Sequence, residues 1–302
     1  MKKKLSQKAL ASLCVLIVLL LTLAIWTIWG NTALMVNTIT VSDSQIPSEF
    51  SGFRIAQVSD LHNAEFGEEN AHLLNLLSES QPDIIAITGD LVDAQHTDIG
   101  TALSFAEKAD RIAPVYYVTG NHEASLPQYD ELKTGLEAAG VTILEDKAIQ
   151  LEHNGGIVTL MGLSDPNFTI KSNIFDEVPA MISTKLNDLM ENKVGYTILL
   201  SHRPELFDTY VSCGVDLVLS GHAHGGQFRL PLIGGLVAPN QGFFPKYDAG
   251  VYTGGGTNMV VSRGLGNSII PLRFNNRPEI VLVELITDLQ QAGYINQDRE
   301  VR

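Results

Sequence analysis

Phe53-Arg54-Ile55-Ala56-Gln57-Val58-Ser59-Asp60-Leu61-His62 reads as a buried strand that ends in side chains of a different kind. The run Phe53–Ser59 is mostly apolar, as in a strand covered on both faces. An aspartate and a histidine follow it at once. The same change of character recurs downstream. Asp83–Thr88 closes on Thr88-Gly89-Asp90, and Val115–Thr119 closes on Thr119-Gly120-Asn121-His122-Glu123. Tyr196–Ser201 closes on Ser201-His202, and Asp216–Ser220 on Ser220-Gly221-His222-Ala223-His224. Predicted strands thus deliver Asp, Asn or His at their carboxyl ends, where open α/β sheets place ligands.

Between these strands lie helical patterns. Ala71–Ser80 spaces Leu73, Leu76 and Leu77 along one face, Thr101–Ile112 behaves likewise, and Tyr129–Ala139 is stopped by Gly140. Two more strands follow at Met259–Ser262 and Glu279–Leu285. From Ile149 to Gly162, and again beyond Gly225, the pattern becomes paired strands with Gly-rich turns. The expectation is α/β with a mixed sheet, or two sheets packed face to face between helices. Residues 31–50 read as a linker or a first edge strand, 51–287 as the globular domain, and 288–302 as a polar tail that frays.

The amino terminus has another character. Lys2, Lys3, Lys4 and Lys8 precede an uncharged stretch from Ala9 to Trp29, about the 20 residues that span a bilayer as a helix. Trp26 and Trp29 stand at its far end, where interfacial aromatics belong, and no Lys or Arg follows until Arg54. Residues 1–30 are therefore expected to be a cytoplasmic stub and a single-pass anchor, with the rest outside the cytoplasm. A cleaved signal peptide competes, since Thr27 and Gly30 offer small residues for cleavage. Its apolar core would run to only about 7–15 residues. Cys14 has Leu13 before it, which does not suit a lipoprotein site, and Cys14 and Cys213 are too few and too far apart for a disulfide framework.

A net charge of −14 repels duplex nucleic acid, so nucleic-acid binding is not expected. Bound cations would invert the potential locally and leave a phosphate substrate admissible. The strand-end residues suit such cations: Asp, Asn and His give oxygen and nitrogen ligands without thiolate, the mix for Mn, Fe or Zn. In Asp60-x-His62 and His222-x-His224 an extended backbone would aim both side chains to one face. Each motif alone has a bland reading, a turn or a solvated histidine. In order, each at a strand end, they hold five of the eight histidines. His72, His96 and His153 fall elsewhere and read as surface residues in a helix and in loops.

Taken together, Asp60-x-His62, Gly89-Asp90, Gly120-Asn121-His122-Glu123, His202 and Gly221-His222-x-His224 resemble the calcineurin-like metallophosphoesterase superfamily. Ser262-Arg263-Gly264-Leu265-Gly266, Pro271-Leu272-Arg273-Phe274 and Arg277-Pro278-Glu279 resemble its bacterial membrane-anchored phosphodiesterase branch. The resemblance implies a four-layer fold, a two-sheet β-sandwich flanked by helices with metals at one edge. It implies two divalent metal ions (Mn, Fe or Zn), one held by Asp60, His62 and His224, the other by Asn121, His202 and His222, with Asp90 bridging. His122 would sit beside the phosphate as a catalytic group. Two such ions lower the pKa of a water toward roughly 7, so no Ser or Cys nucleophile is needed.

One departure stands out. Protein phosphatases of the superfamily carry an arginine shortly after the bridging aspartate, and here Asp90-Leu91-Val92-Asp93 runs into Ala94. Arg203 and Arg263 are the candidate substitutes, each against the default of a solvated arginine. Phe228–Phe244 follows the last metal motif with Leu230, Leu232, Ile233, Leu236, Val237, Phe243 and Phe244 among glycines and prolines. It reads as a packed core loop, the alternative being an apolar substrate-side loop suited to lipid. The expected function is hydrolysis of phosphodiesters or pyrophosphate-linked substrates such as envelope lipid or wall polymer. A phosphomonoesterase or nucleotidase on the same scaffold, and a non-catalytic envelope-binding protein, are the alternatives.

Overall fold

The computed structural model describes residues 6–170, 177–267 and 272–288. The lysines at 2–4, Pro271 and the polar tail beyond Asp288 lie outside them. The first element is α1 (Gln7–Thr32), capped by Ser6, whose hydroxyl accepts from Ala9 N at 3.2 Å. Almost all of it is exposed apolar surface, and it is long and apolar enough to cross a membrane. β1 (Met35–Asp43) follows at the edge of a sheet, so within residues 31–50 the edge-strand reading is the one that holds. The alternation of Val36, Thr38, Ile39, Thr40 and Val41 explains this, because β-branched residues fit a pleated, half-buried edge.

The first half of the domain then runs β2 (Arg54–Val58), α2 (Ala71–Glu79), β3 (Ile84–Thr88), α3 (Ile99–Asp110), β4 (Val115–Val118), the single turn α4 (Asn121–Ala124), α5 (Tyr129–Ala138) and β5 (Thr142–Ile143). The second half runs β6 (Lys147–His153), β7 (Gly156–Gly162), α6 (Glu177–Met190), β8 (Thr197–Leu200), α7 (Phe207–Ser212) and β9 (Leu217–Ser220). Four two-residue strands come next: β10 (Arg229–Leu230), β11 (Gly234–Gly235), β12 (Val237–Ala238) and β13 (Gly242–Phe243). β14 (Gly250–Gly254), β15 (Thr257–Val261) and β16 (Glu279–Thr287) complete the described chain.

These strands form two six-stranded sheets, ordered β1-β16-β2-β3-β4-β5 and β14-β15-β9-β8-β7-β6. β2 through β5 are parallel, as are β7, β8, β9 and β15. Alternation along the strands sets the layers. In β3, Ile84 and Ala86 point between the sheets, while Ile85 and Ile87 point to the helices α2, α3 and α5. In β9, Leu217 and Leu219 share the inter-sheet core and Val218 packs on the α6 and α7 side. The result is the expected four-layer sandwich, with helices outside both sheets. His153 is not in a loop: it ends β6, its ring 5.0 Å from that of Phe53.

Gln57 ties the sheets together just below the strand ends. Its buried Nε2 donates to Thr88 Oγ1 at 3.0 Å in the first sheet and to Ser220 O at 2.9 Å in the second. The carboxyl ends of β2, β3 and β4 thereby meet those of β8 and β9 along one edge.

Candidate metal centre

All seven expected ligands leave the ends of these parallel strands. Asp60, His62, Asp90, His202, His222 and His224 are buried. Asn121 opens α4, and its Oδ1 is buried without a hydrogen-bond partner among the described residues. The extended geometry expected for the i, i+2 pairs does not form. Asp60, His62, Asp90, His222 and His224 all have positive φ, between 47° and 67°. These are left-handed residues that non-glycine side chains adopt at a cost, and they cluster here. Backbone bonds hold the conformation: Asp60 N donates to Gly89 O at 3.1 Å and His62 N to Asp90 O at 3.0 Å. The loops therefore lie side by side, and each left-handed turn tips its side chain over the strand ends.

Close approach explains two glycines. A Cβ on Gly89, at φ +89°, would stand 2.7 Å from His202 Nδ1. One on Gly221 would collide with the Ser59 hydroxyl and come 2.5 Å from Asp60 Oδ2.

The donors gather into two clusters that share Asp90. In the first, His224 Nε2 lies 3.4 Å from Asp60 Oδ1 and 3.2 Å from His62 Nε2. In the second, His202 Nε2 lies 3.2 Å from Asp90 Oδ2 and 3.1 Å from His222 Nδ1. Asp90 Oδ2 is also 3.6 Å from His62 Nε2, so one carboxylate oxygen touches both groups. Three imidazoles are kept neutral, as ligation requires. Burial pushes His62 down to about 4, and burial with the Arg203 charge pushes His222 well below its usual value. His224 is lowered by burial and by His62. His202 goes the other way: burial alone would lower it, but the Asp90 carboxylate raises it to about 10. Burial raises Asp60 to about 6, partly offset by His202, whereas Asp90 is held well below the carboxylate range because the histidines around it outweigh its burial. Buried donors of opposed preference, with the orphaned Asn121 oxygen beside them, fit divalent cations better than they fit one another.

His122 stands at the rim, its ring centroid 4.4 Å from that of His62 and edge-on. Its Nδ1 accepts the Ala94 N–H at 3.0 Å, which places the ring proton of the neutral form on Nε2. Its own N–H donates to Asp90 Oδ1 at 2.9 Å. Arg203 is not open to substrate. It is buried, with Nε 2.5 Å and Nη2 2.9 Å from the two Asp165 oxygens, and Nη1 3.0 Å from His222 Nε2. The bidentate pairing with Asp165 offsets the cost of taking the guanidinium out of water, and neither charge is left buried alone. Arg263 remains partly exposed; its Nε lies 3.6 Å from Glu279 Oε2.

Several supporting residues were not assigned roles from the sequence. Glu123 accepts four backbone N–H groups, from Asp90, Leu91, Val92 and Gly120 at 2.7–3.3 Å, and so fastens the Asp90 loop to the His122 loop. Burial and the nearby Asp90 charge push its carboxyl up to about 7 despite those donors. Its place three residues after Gly120, at the start of a helical turn, was the available signal. Asp165 follows β7 as Asp60 follows β2, so the strand-end pattern could have found it. Arg273, fully buried, donates to the carbonyls of Arg263 and Gly266 and shapes the loop behind Asp60. In the sequence it stood only as a member of Pro271-Leu272-Arg273-Phe274, with no role attached.

Oxygen and imidazole donors in two groups around one carboxylate, at the mouth of a double-sheet sandwich, define a metal-dependent hydrolase of phosphate esters. The sequence model described as Calcineurin-like phosphoesterase matches residues 53–226, more than half of the chain, and the chain belongs to that family. It is 30% identical over 251 residues to the uncharacterized metallophosphoesterase YkuE of Bacillus subtilis, covering 82% of this chain and 83% of that one. It is 28% identical over 244 residues to the phosphodiesterase YaeI of Escherichia coli, covering 78% and 82%. A transmembrane protein with metallophosphoesterase domain from Danio rerio is 28% identical over 253 residues, covering 80% of this chain and 55% of the relative.

Proposed function

We propose that this chain is a membrane-anchored phosphodiesterase, acting on phosphodiester or pyrophosphate-linked substrates of the cell envelope. Asp60, His62 and His224 would hold one ion and Asn121, His202 and His222 the other, with Asp90 serving both. When bound, such ions neutralise phosphoryl oxygens and lower the pKa of water. The chain itself supplies a hydrogen-bond donor. Ala94 N–H occupies His122 Nδ1 and leaves the ring proton on Nε2, free to bond a phosphoryl or leaving oxygen and steady the charge that develops there.

The preference for diesters is carried by Ala94 and Arg203 together. The residue after Asp93 offers only a backbone N–H, and the arginine nearest the site is spent on Asp165. A fully ionised monoester brings one more negative charge, and the Arg203 guanidinium beside the site is already held by Asp165. α1 supports the anchor, and the lysines at 2–4 and 8 support an amino terminus in the cytoplasm with the catalytic domain outside. The name of the phosphodiesterase YaeI points the same way.

The test compares kcat/KM of one metal-loaded preparation on bis-p-nitrophenyl phosphate, a lipid pyrophosphate and a phosphoserine peptide. The diester or the lipid pyrophosphate should win. A clear win for the phosphopeptide sinks the substrate reading and leaves the metal centre standing.

A further inference from the structure

The segment from Phe228 to Phe244 leaves the metal centre and returns to it without joining either main sheet. It folds into two minimal hairpins, β10 with β11 and β12 with β13. They share Leu236, whose N–H bonds to Phe228 O at 2.8 Å and whose carbonyl accepts from Phe244 N at 2.9 Å. The core reading of this loop does not hold. Leu230, Leu232, Ile233, Phe243 and Phe244 face solvent, Phe243 at 74% and Phe244 at 62% exposure. Glycine and proline turns bring these side chains to the tips, where no core lies beneath them. Exposed apolar side chains gathered in this way mark a contact surface.

Its position says what covers it. The root of the segment is stitched to residues 272–277. Gln227 Nε2 donates to Leu272 O at 2.7 Å, Arg229 N to Phe274 O at 3.0 Å, and Phe228 bridges to Phe274. The same short stretch grips the end of α1. Arg273 N donates to Asn31 Oδ1 at 2.7 Å, Asn31 Nδ2 to Arg273 O at 2.9 Å, and the Arg277 guanidinium lies 4.6 Å from the Trp29 ring centroid. Leu272, itself exposed, stands between the two. The hairpins and the tryptophan end of the apolar helix are thus two neighbours of one strap. On its inner side the segment reaches the metal centre, with Asn240 Nδ2 3.3 Å from His222 Nε2.

We propose that 228–244 is a second membrane-contacting element. Leu232, Ile233, Phe243 and Phe244 enter the interfacial layer of the bilayer that α1 crosses, and the metal centre opens at the level of the lipid headgroups. The occupant is a lipid surface, because the patch continues an apolar helix of membrane-spanning length. The proposal rests on the anchor reading. It adds that the substrate phosphate is presented from the membrane plane, at the concentration the surface confers.

The full chain is placed in nanodiscs of phosphatidylethanolamine and phosphatidylglycerol containing spin-labelled lipid. A fluorophore is carried at the native Cys14, or at Leu232→Cys, Phe243→Cys or Asn154→Cys with both native cysteines changed to serine. Asn154 lies in the turn between β6 and β7, on the far edge of the second sheet. Quenching at 14, 232 and 243 but not at 154 is expected. Positions 232 and 243 matching 154 while 14 is quenched overturns the docking surface alone. Loss at all three overturns the anchor as well. The double variant Leu232→Glu/Phe243→Glu should lower kcat/KM on a lipid phosphodiester in the disc about tenfold and leave a soluble diester unchanged. Unchanged activity on both also overturns the proposal.

Discussion

The two clusters around Asp90 are fastened by different means. In the cluster of His202 and His222, the ring nitrogens turned away from the centre meet protein groups. His202 Nδ1 lies 2.8 Å from Thr88 O and His222 Nε2 lies 3.0 Å from Arg203 Nη1. In the cluster of His62 and His224, the outer Nδ1 atoms are buried with no hydrogen-bond partner among the described residues. Their rings are held by stacking on each other, centroids 5.0 Å apart and planes at 26°. One side of the centre is therefore oriented by hydrogen bonds and the other mainly by packing, with the Asp93 carboxylate 3.8 Å from His62 Nδ1. Outer hydrogen bonds fix a histidine's ring orientation, and an acceptor such as Thr88 O also raises the basicity of His202, whereas the Arg203 charge lowers that of His222 while holding its ring in place. The better-oriented side should hold its ion more firmly, and the packed side should exchange its ion first.

The comparison can be broken at four strengths. Asp90 joins the sides, so Asp90→Asn should abolish both metal binding and turnover, read by elemental analysis and a diesterase assay. A variant that keeps both ions and normal activity refutes the ligand scheme. Next, His122 belongs to neither side. His122→Ala should lose about 10²–10⁴-fold in kcat with metal content intact, and an equal loss of metal would move it among the ligands. Third, Arg203→Met combined with Asp165→Leu removes the polar support of His222 without stranding a buried charge. Calorimetric metal titration should show about 10–100-fold weaker binding on that side only. Equal weakening on both sides would erase the distinction.

The smallest effect concerns the packed side in the metal-free protein. Burial lowers His62 from 6.5 to about 4. The folded ring resists protonation more than the unfolded one, so its contribution to stability is complete above pH 6.5 and lost as pH falls through about 4. His62→Gln should flatten the acid side of the stability curve between those values, by at most about 3 kcal/mol. Urea unfolding at several pH values reads it, and an unaltered slope counts against a buried neutral ring.

Much of this was legible because strand interiors and strand ends obey opposite chemistry. Continuous apolar runs such as Asp83–Thr88 predicted buried strands, and the abrupt change to Asp90 or His222 located the mouth of the sandwich. Fine geometry was not legible. The left-handed φ of Asp60 and His224 depends on neighbouring loops donating to each other's carbonyls, which residue types do not encode. Glu123 was visible as a motif member, but its four N–H donors come from two loops that only the fold brings together. Arg203 read as a solvated arginine or a substitute phosphate clamp, and is neither, because Asp165, 38 positions away, is invisible as its partner until β7 and β8 lie side by side. The loop Phe228–Phe244 misled for a related reason, since apolar composition cannot tell a buried core from an exposed apolar surface.

The pairing of β1 with β16 sets a timetable for synthesis. The Asn37–Glu279 contact spans 242 positions, and β16 is the strand on which both β1 and β2 pair. β1 precedes the rest of the domain and waits for a partner made after every other strand of both sheets. Until Glu279–Thr287 has been synthesised, the first sheet has a gap at its centre-left and two open edges, the state most exposed to wrong pairing. The second sheet does not wait for β16: β6 through β9 are complete by Ser220 and β15 by Val261. Ribosome-bound chains should therefore show a protected second sheet first, and the metal centre, which draws on both, can close only after Glu279–Thr287 has been made.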